Sequence, residues 1–129
     1  KFNDDTAYSI FNLSNLYSGF PSIIHGGIQA SIIDEIGFWA MFNSRKQIGF
    51  TQKLEVQYIS KIETDTDLKV EGRETFNENN NSEIEVGIYC ESQLKTKGLV
   101  SYKLISDSAI KRMFGEEFYE EFMRSFRYD

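Results

Sequence analysis

The sequence predicts an α+β protein in which an antiparallel sheet packs against one long helix and a further helix follows at the C-terminus. Three observations indicate this class. Residues 26–44 contain no proline and carry apolar side chains at helical spacing. Residues 47–105 alternate apolar and polar side chains over several segments, and residues 107–127 return to helical spacing. The length of 129 residues suits one domain, so we expect a single domain over residues 1–129.

The elements follow in a simple order. Residues 7–13, AYSIFNL, are interpreted as a first short strand, and residues 14–22 are interpreted as a loop because they are rich in Ser and Asn and contain the only proline. Residues 26–44 would form a helix about 28 Å long. Four alternating segments then predict half-buried strands, at 47–60, 67–76, 82–94 and 99–105.

The connections between these strands are short, at 77–81 and 94–98, which are interpreted as turns. We therefore expect consecutive strands to pair as an antiparallel meander, with the long helix covering one face. The C-terminal helical segment, 107–127, could be capped by Ser106, Asp107 or Ser108 and broken at Gly115. It carries a phenylalanine at every fourth position, and we expect this stripe to pack on the sheet or on a partner subunit: Phe114, Phe118, Phe122 and Phe126.

Composition and charge exclude several classes of function. The net charge of −6 and the lack of a basic face argue against nucleic-acid binding, and no apolar run approaches the ~18 residues of a membrane span. Cys90 is the only cysteine, so a reducing compartment is permitted and we expect a cytoplasmic protein. One histidine and one cysteine provide no metal-ligand cluster, and we expect no cofactor. An anionic ligand would need a local basic patch, unless the candidate residues are ordinary solvated charges: Arg45, Lys46, Lys53, Lys95 and Lys97.

The long helix carries one carboxylate in apolar surroundings. The isoleucines gather on one side of the helical wheel, and Asp34 lies nearly opposite, close to Ala30, Phe38 and Met41. We expect the sheet to cover the isoleucines, a second subunit to cover the side of Asp34, and Gln29 to lie on an exposed flank. A carboxylate in a dry seam is costly unless it is paired or used. The alternative is a solvated group, or one that is hydrogen-bonded to a neighbouring serine.

The start of the helix is also unusual. His25, Gly26 and Gly27 stand where a Ser, Thr, Asp or Asn cap is common, and glycine offers no side-chain acceptor. An uncapped helix start lined by glycine could receive an anion or a polarised carbonyl oxygen. The alternative is a tight turn into the helix, with His25 in a structural role.

Together these features resemble a known signature. The stretch GFPSIIHGGIQASIIDE resembles that of the hotdog-fold acyl-CoA thioesterases, in the phenylacetyl-CoA-type branch. That branch runs from an aromatic–Pro pair to His-Gly-Gly, with an Asp nine residues after the His, as found here in Phe20, Pro21, His25, Gly26, Gly27 and Asp34. The resemblance covers roughly residues 7–105 and implies a hotdog fold, in which an antiparallel sheet wraps around the central helix. Ser18 and Gly19 stand where the family often has an Asn or Gln near the carbonyl, and Ser22 where it often has Gly.

The resemblance also implies roles for individual residues. Asp34 would be the general base or nucleophile, and Gly26, with Gly27, would donate a backbone N–H to the thioester carbonyl. Thr51 would orient water, and His25 would shape the turn that binds substrate. A pocket for the acyl group would include aromatic residues of the helix, if these are not simply core: Phe38 and Phe42.

The implied substrate is an acyl-CoA or acyl-carrier thioester. Gly26 and Asp34 are about 12 Å apart along one helix, so one chain cannot place both beside the same carbon atom. A homodimer, or a dimer of dimers, with antiparallel helices can provide one group from each subunit. Three alternatives stay open at this point: a non-catalytic binder of acyl thioesters, a hydratase or dehydratase, and a dimeric scaffold.

Overall fold

The computed structural model describes residues 1–3 and 5–127. Within these ranges the chain forms a six-stranded sheet and three α-helices: β1 Phe2–Asn3, β2 Thr6–Asn12, α1 Gly26–Arg45, β3 Gly49–Tyr58, β4 Asp67–Glu78, β5 Asn81–Cys90, β6 Gln93–Leu104, α2 Asp107–Phe114 and α3 Glu116–Arg127. The predicted α+β class, with a long helix against an antiparallel sheet and C-terminal helical structure, is confirmed. None of the described helices is long and apolar enough to cross a bilayer.

The strand order differs from a simple meander. The sheet runs β1-β2-β4-β5-β6-β3, and every neighbouring pair is antiparallel. The expected meander is correct for β4, β5 and β6 but wrong for β3, which pairs with β6. Residues 59–66 return the chain across the end of the sheet, and this crossing is fixed where the N–H of Ile24 donates to the carbonyl of buried Ile62 at 2.9 Å. As a result, β3 is an edge strand.

The turn between β5 and β6 lies earlier than the sequence predicted. It falls at Glu91 and Ser92, whose φ angles of 51° and 67° match the tight hairpin turns that suit strand twist. The predicted turn at 94–98 is strand instead, because its side chains are needed under the helix. Thr96 is buried there, and a side chain on Gly98 would collide with Ile33 of α1.

The main core lies between α1 and the sheet. Ile33, Gly37, Ala40 and Met41 form the buried line of the helix. The buried face of α1 is therefore rotated about the helix axis from the predicted one. The other isoleucines lie half-buried at the sides of this face: Ile28, Ile32 and Ile36.

The expected exposure of Gln29 is wrong, since this residue is only 4% exposed. Its amide accepts a hydrogen bond from the Thr96 hydroxyl at 2.5 Å and donates to the carbonyl of Ile24 at 3.2 Å. A polar side chain can lie in the core when both of its ends are satisfied in this way.

The C-terminal helices cover the outer side of the second half of α1. Ser106 caps α2, and Gly115, with a φ of 93°, separates α2 from α3. Phe122 and Phe126 of the phenylalanine stripe pack against Trp39 and Phe42 of α1. The other two members, Phe114 and Phe118, are about half exposed. The expectation that a second subunit covers Met41 is wrong, because Met41 is fully buried within the chain. Phe38 is half-buried and packs on Phe122.

His25 caps the start of α1. Its Nδ1 accepts a hydrogen bond from the Gly27 N–H at 2.8 Å, so the expected uncapped start is wrong. A neutral imidazole that accepts at Nδ1 carries its proton on Nε2. In the described part of the chain the N–H of Gly26 makes no hydrogen bond, which leaves Gly26, rather than Gly27, as the available donor.

The cap predicts a stability difference between two variants at position 25. His25→Ala removes the acceptor and should lower the free energy of unfolding by about 1 kcal/mol, whereas His25→Asn keeps an acceptor and should lose less. Urea unfolding followed by circular dichroism measures both. Equal losses for Ala and Asn would show that the imidazole contributes by packing and not by capping.

Candidate functional site

Asp34 lies on the flank of α1 that faces β3, and it is half-buried. The Thr51 hydroxyl donates to Oδ1 of Asp34 at 2.8 Å, and the Tyr102 hydroxyl donates to the same oxygen at 3.1 Å. No donor from the described residues contacts Oδ2. The suggested pairing with Ser31 does not form, since that hydroxyl donates to the carbonyl of Gly27. The carboxylate is therefore held through one oxygen and open at the other.

Tyr102 was not identified from the sequence as a site residue. Burial, followed by the nearby charge of Asp34, raises the pKa of Tyr102 far above its ordinary value, so the hydroxyl is a hydrogen-bond donor at neutral pH. The available signal was its position on β6, in phase with Val100 and Leu104, because a tyrosine buried under a helix usually needs a partner for its hydroxyl.

The N–H of Gly26 lies at the opposite end of β3. The Tyr58 hydroxyl donates to the carbonyl of Gly26 at 2.7 Å, and a Cβ on Gly26 would lie 3.1 Å from that hydroxyl oxygen. Tyr58 was also not singled out from the sequence. A cleft of about 480 Å³ opens beside this helix start, lined by Ile23, Ile24, Gly26, Gly27, Gln29, Tyr58, Ile59, Ser60 and Lys61.

The structure thus brings some of the predicted residues together and keeps others apart. Asp34 meets Thr51, and Gly26 lies with His25 and Gly27. The two groups are separated by about 12 Å along α1. They also contact opposite ends of β3, because Thr51 and Tyr58 are about 23 Å apart along that strand. A single chain does not form one site from both groups.

The two predicted pocket residues on α1 pack inside the chain. Phe42 is fully buried, and its ring lies 4.4 Å from that of Phe126 between centroids. Phe38 is half-buried and contacts the rings of Tyr102 and Phe122. This packing favours the alternative that these aromatic residues belong to the core.

Among residues 1–3 and 5–127, no strand pairs with the outer edge of β3. This strand of ten residues pairs with β6 on its other side, and apolar or aromatic side chains along it are exposed: Phe50, Leu54 at 36% and Tyr58 at 52%. A long edge strand with exposed apolar groups is a ready template for pairing with another chain.

Most of the predicted basic residues are engaged elsewhere. Arg45 forms a salt bridge with Glu74, and this contact raises the pKa of Arg45. Acidic partners also hold Lys53 and Lys97, which pair with Glu55 and Glu85 respectively.

Two lysines lie at the cleft beside Gly26. Lys61 lines it and also pairs with Glu63 at 3.7 Å, whereas Lys95 lies beside it, with its Nζ 3.4 Å from the hydroxyl of Ser60, a residue of the lining. Lys61 was missed from the sequence because no period or motif marks the connection that carries it.

Comparison with known proteins identifies the family. The profile of the thioesterase superfamily matches residues 22–97, more than half of the chain and a range that includes Gly26, Asp34 and Thr51. Among curated proteins, no sequence matches significantly.

Several solved structures have the same fold. A hypothetical thioesterase from Streptococcus pneumoniae, solved with coenzyme A, has a TM-score of 0.75 at 17% identity over 82% of this chain and 86% of its own. An acyl-CoA hydrolase from Staphylococcus aureus, solved with butyryl coenzyme A and coenzyme A, has a TM-score of 0.77 at 15% identity over 81% of this chain and 68% of its own. A further thioesterase superfamily protein has a TM-score of 0.72 at 18% identity over 78% of this chain, which spans only 49% of that protein. The chain belongs to the thioesterase superfamily and has a hotdog fold.

Proposed function

We propose that the protein hydrolyses acyl thioesters, with acyl-CoA as the substrate class, in a site shared between two subunits. The observation that carries this proposal is the placement of two complementary groups at opposite ends of one edge strand. Asp34, with a free carboxylate oxygen, contacts one end of β3, and Gly26, with a free N–H, contacts the other. Coenzyme A and its butyryl ester in the related structures support the choice of substrate.

Pairing of two β3 edges would complete the site. An antiparallel pair with its two-fold axis between Leu54 and Glu55 sets Thr51 close to Tyr58 of the partner subunit. The free oxygen of Asp34 then lies near the N–H of Gly26 of the partner subunit. The same pairing satisfies the open backbone edge of β3 and covers Leu54.

The chemistry follows from these two groups. The Gly26 N–H, at the positive end of α1, donates to the thioester carbonyl oxygen and stabilises the negative charge that develops there. As a general base, Oδ2 of Asp34 removes a proton from water as the water oxygen bonds to the carbonyl carbon, the carbon–sulfur bond breaks, and the thiolate takes up that proton. As a nucleophile, Oδ2 attacks the carbon and expels the thiolate to form a mixed anhydride, which water hydrolyses, regenerating the Asp34 carboxylate and supplying the proton to the thiolate. Both routes release a carboxylic acid and a thiol. Thr51 holds Asp34, and its oxygen can still accept a hydrogen bond from the water.

The first prediction concerns Asp34. Asp34→Asn keeps the size and polarity of the side chain but removes the base, so turnover should fall by about 10² or more with the fold intact. Release of free thiol from a panel of acyl-CoAs, detected with a thiol reagent, measures turnover. The matched control is Glu35→Gln, the adjacent carboxylate, which bonds to the Trp39 indole and should leave turnover nearly unchanged.

An Asp34→Asn variant with near-wild-type turnover would exclude Asp34 from the chemistry. If the wild-type protein binds acyl-CoA without hydrolysing it, measured by calorimetry, the protein is a non-catalytic thioester binder instead. That alternative needs the start of α1 but not the carboxylate.

The shared site predicts complementation between two inactive variants. Gly26→Val should block approach to the N–H, since even a Cβ there meets Tyr58, and Asp34→Asn lacks the base. After the two are unfolded, mixed equally and refolded, about half of the dimers should be mixed, and each should hold one intact site. Thiol release should recover to about a quarter of the wild-type value per subunit, because one site in four would then be intact.

Two outcomes test this arrangement separately. Differentially tagged parents establish whether mixed dimers form. If they form and are as inactive as the parents, the two groups do not act across the subunit boundary.

The cleft beside Gly26 predicts how the carrier is recognised. The phosphates of coenzyme A would meet Lys61 and Lys95, so the double substitution of both by Gln should raise KM for an acyl-CoA by severalfold, in the range of one or two exposed ion pairs. KM for the same acyl group on N-acetylcysteamine, which has no phosphate, should not change. Lys97→Gln is the matched control, since Lys97 is an exposed lysine that does not line the cleft. Equal effects on both substrates would contradict phosphate recognition by these lysines.

A further inference from the structure

We infer that Tyr102 is a positioning residue for Asp34, and that Gly37 is the residue that makes room for it. Tyr102 would fix the carboxylate through Oδ1 and so leave Oδ2 as the reacting oxygen. This inference rests on the proposed function, since it concerns the orientation of the proposed base. Tyr102 lies outside the residues 22–97 that match the family profile.

The single hydroxyl proton of Tyr102 is shared between two oxygens of Asp34. Its hydroxyl lies 2.7 Å from the backbone carbonyl oxygen of Asp34 and 3.1 Å from Oδ1 of the same residue. Thr51 approaches Oδ1 from β3 at 2.8 Å, while Tyr102 approaches from β6. Two donors from different strands define the rotamer of the carboxylate better than one.

The rigidity of Tyr102 makes it suited to this task. Its side chain is fully buried, packed edge-on against the ring of Phe38 and covered by α1. Thr51, in contrast, lies on the edge strand and is exposed. The buried tyrosine is therefore the more rigid of the two donors, and it holds the half-exposed carboxylate of Asp34 in place.

Gly37 explains how a tyrosine hydroxyl fits under the helix. Glycine inside a helix is destabilising relative to alanine, so its use there needs a local reason. A Cβ on Gly37 would lie 2.6 Å from the Tyr102 hydroxyl oxygen, while its next neighbours, in Val100 and the Tyr102 ring, would be 3.3 and 3.5 Å away. The hydroxyl is the main obstacle to a side chain at position 37. Asp34, Gly37 and Tyr102 thus form one linked set.

Few other charged groups face the carboxylate. Glu35 follows it on α1, and Tyr102 is the titratable group on β6. On β3, Lys53 and Glu55 pair with each other on the far side of the strand, where Lys53 also lies near Glu83. Lys97 and Lys103 of β6 are exposed on that far side too. In the proposed dimer, His25 of the partner subunit and Tyr58 of the partner subunit are the titratable groups that approach.

The activity test is Tyr102→Phe, which keeps the ring and removes one donor. A hydrogen bond to a charged group is worth about one factor of ten or more, so kcat should fall about tenfold with little change in KM. A purely structural tyrosine would not lower kcat while leaving KM unchanged. Tyr89→Phe, on neighbouring β5, is the matched control and should leave both kcat and KM unchanged.

The stability test does not depend on catalysis. Gly37→Ala should lower Tm by about 4 °C or more in the wild-type background, because the new methyl group meets the hydroxyl. In the Tyr102→Phe background the same change should cost far less, since the obstacle is gone and alanine favours helix. Such a dependence of one substitution on the other is a direct measure of their contact.

Each outcome has one meaning. An unchanged kcat in Tyr102→Phe, with Asp34→Asn inactive, would overturn the positioning role and leave the proposed function standing. Near-wild-type turnover in Asp34→Asn would overturn the proposed function itself. Additive effects of Gly37→Ala and Tyr102→Phe on Tm would show that Gly37 does not accommodate the hydroxyl.

Discussion

The close approach of α1 to β6 is the constraint on which the rest of the structure depends. Gly98 lets Ile33 rest on the strand, and Gly37 admits the Tyr102 hydroxyl beneath the helix. With larger residues at these points the helix would stand further from the sheet. Asp34 would then lose its contact with β6, and its distance from Thr51 on β3 would grow. Small residues in the core therefore determine the position of the carboxylate at its edge.

The edge strand β3 connects this packing to the proposed active site. Its pairing with β6 alone follows from the crossing of residues 59–66, which places β4 beside β2 and leaves one side of β3 open. The same strand contacts Asp34 through Thr51 and Gly26 through Tyr58. The length of β3 separates Asp34 from Gly26 within one chain, and antiparallel pairing of two β3 edges would bring Asp34 of one chain to Gly26 of the other. For this reason the proposed chemistry and the proposed dimer depend on a single element.

Local sequence patterns predicted most of the elements but not their contacts. Alternation located the strands, and the motif from Phe20 to Asp34 indicated the fold and the candidate residues. The pairing of β3 with β6 could not be predicted, because it depends on contacts between residues distant in sequence. The exposure assigned to Gln29 was wrong for the same reason, since its partner Thr96 is 67 residues away. Likewise, the role of Tyr102 becomes visible only when the register of β6 under α1 is known.

The start of α1 shows a different limit of sequence reasoning. Two glycines after a histidine suggested an open helix end, because histidine is not among the common capping residues. In the structure the imidazole takes that position and satisfies the N–H of Gly27. This contact leaves one candidate donor for a thioester carbonyl instead of two. The N–H of Gly27 is already bonded, whereas the N–H of Gly26 makes no hydrogen bond within the described chain.

The C-terminal helices clarify which surface is left for a partner. Phe122 and Phe126 cover the outer side of α1 around Trp39 and Phe42, so the second half of that helix needs no other subunit. Apolar exposure is instead found along β3 and continues from Phe50 to Phe114 and Phe118, whose rings follow one another in contact. The chain thus covers its own helix and leaves its edge strand open. Burial of that edge is the event that would bring the carboxylate and the glycine N–H together, which makes assembly and activity two consequences of one contact.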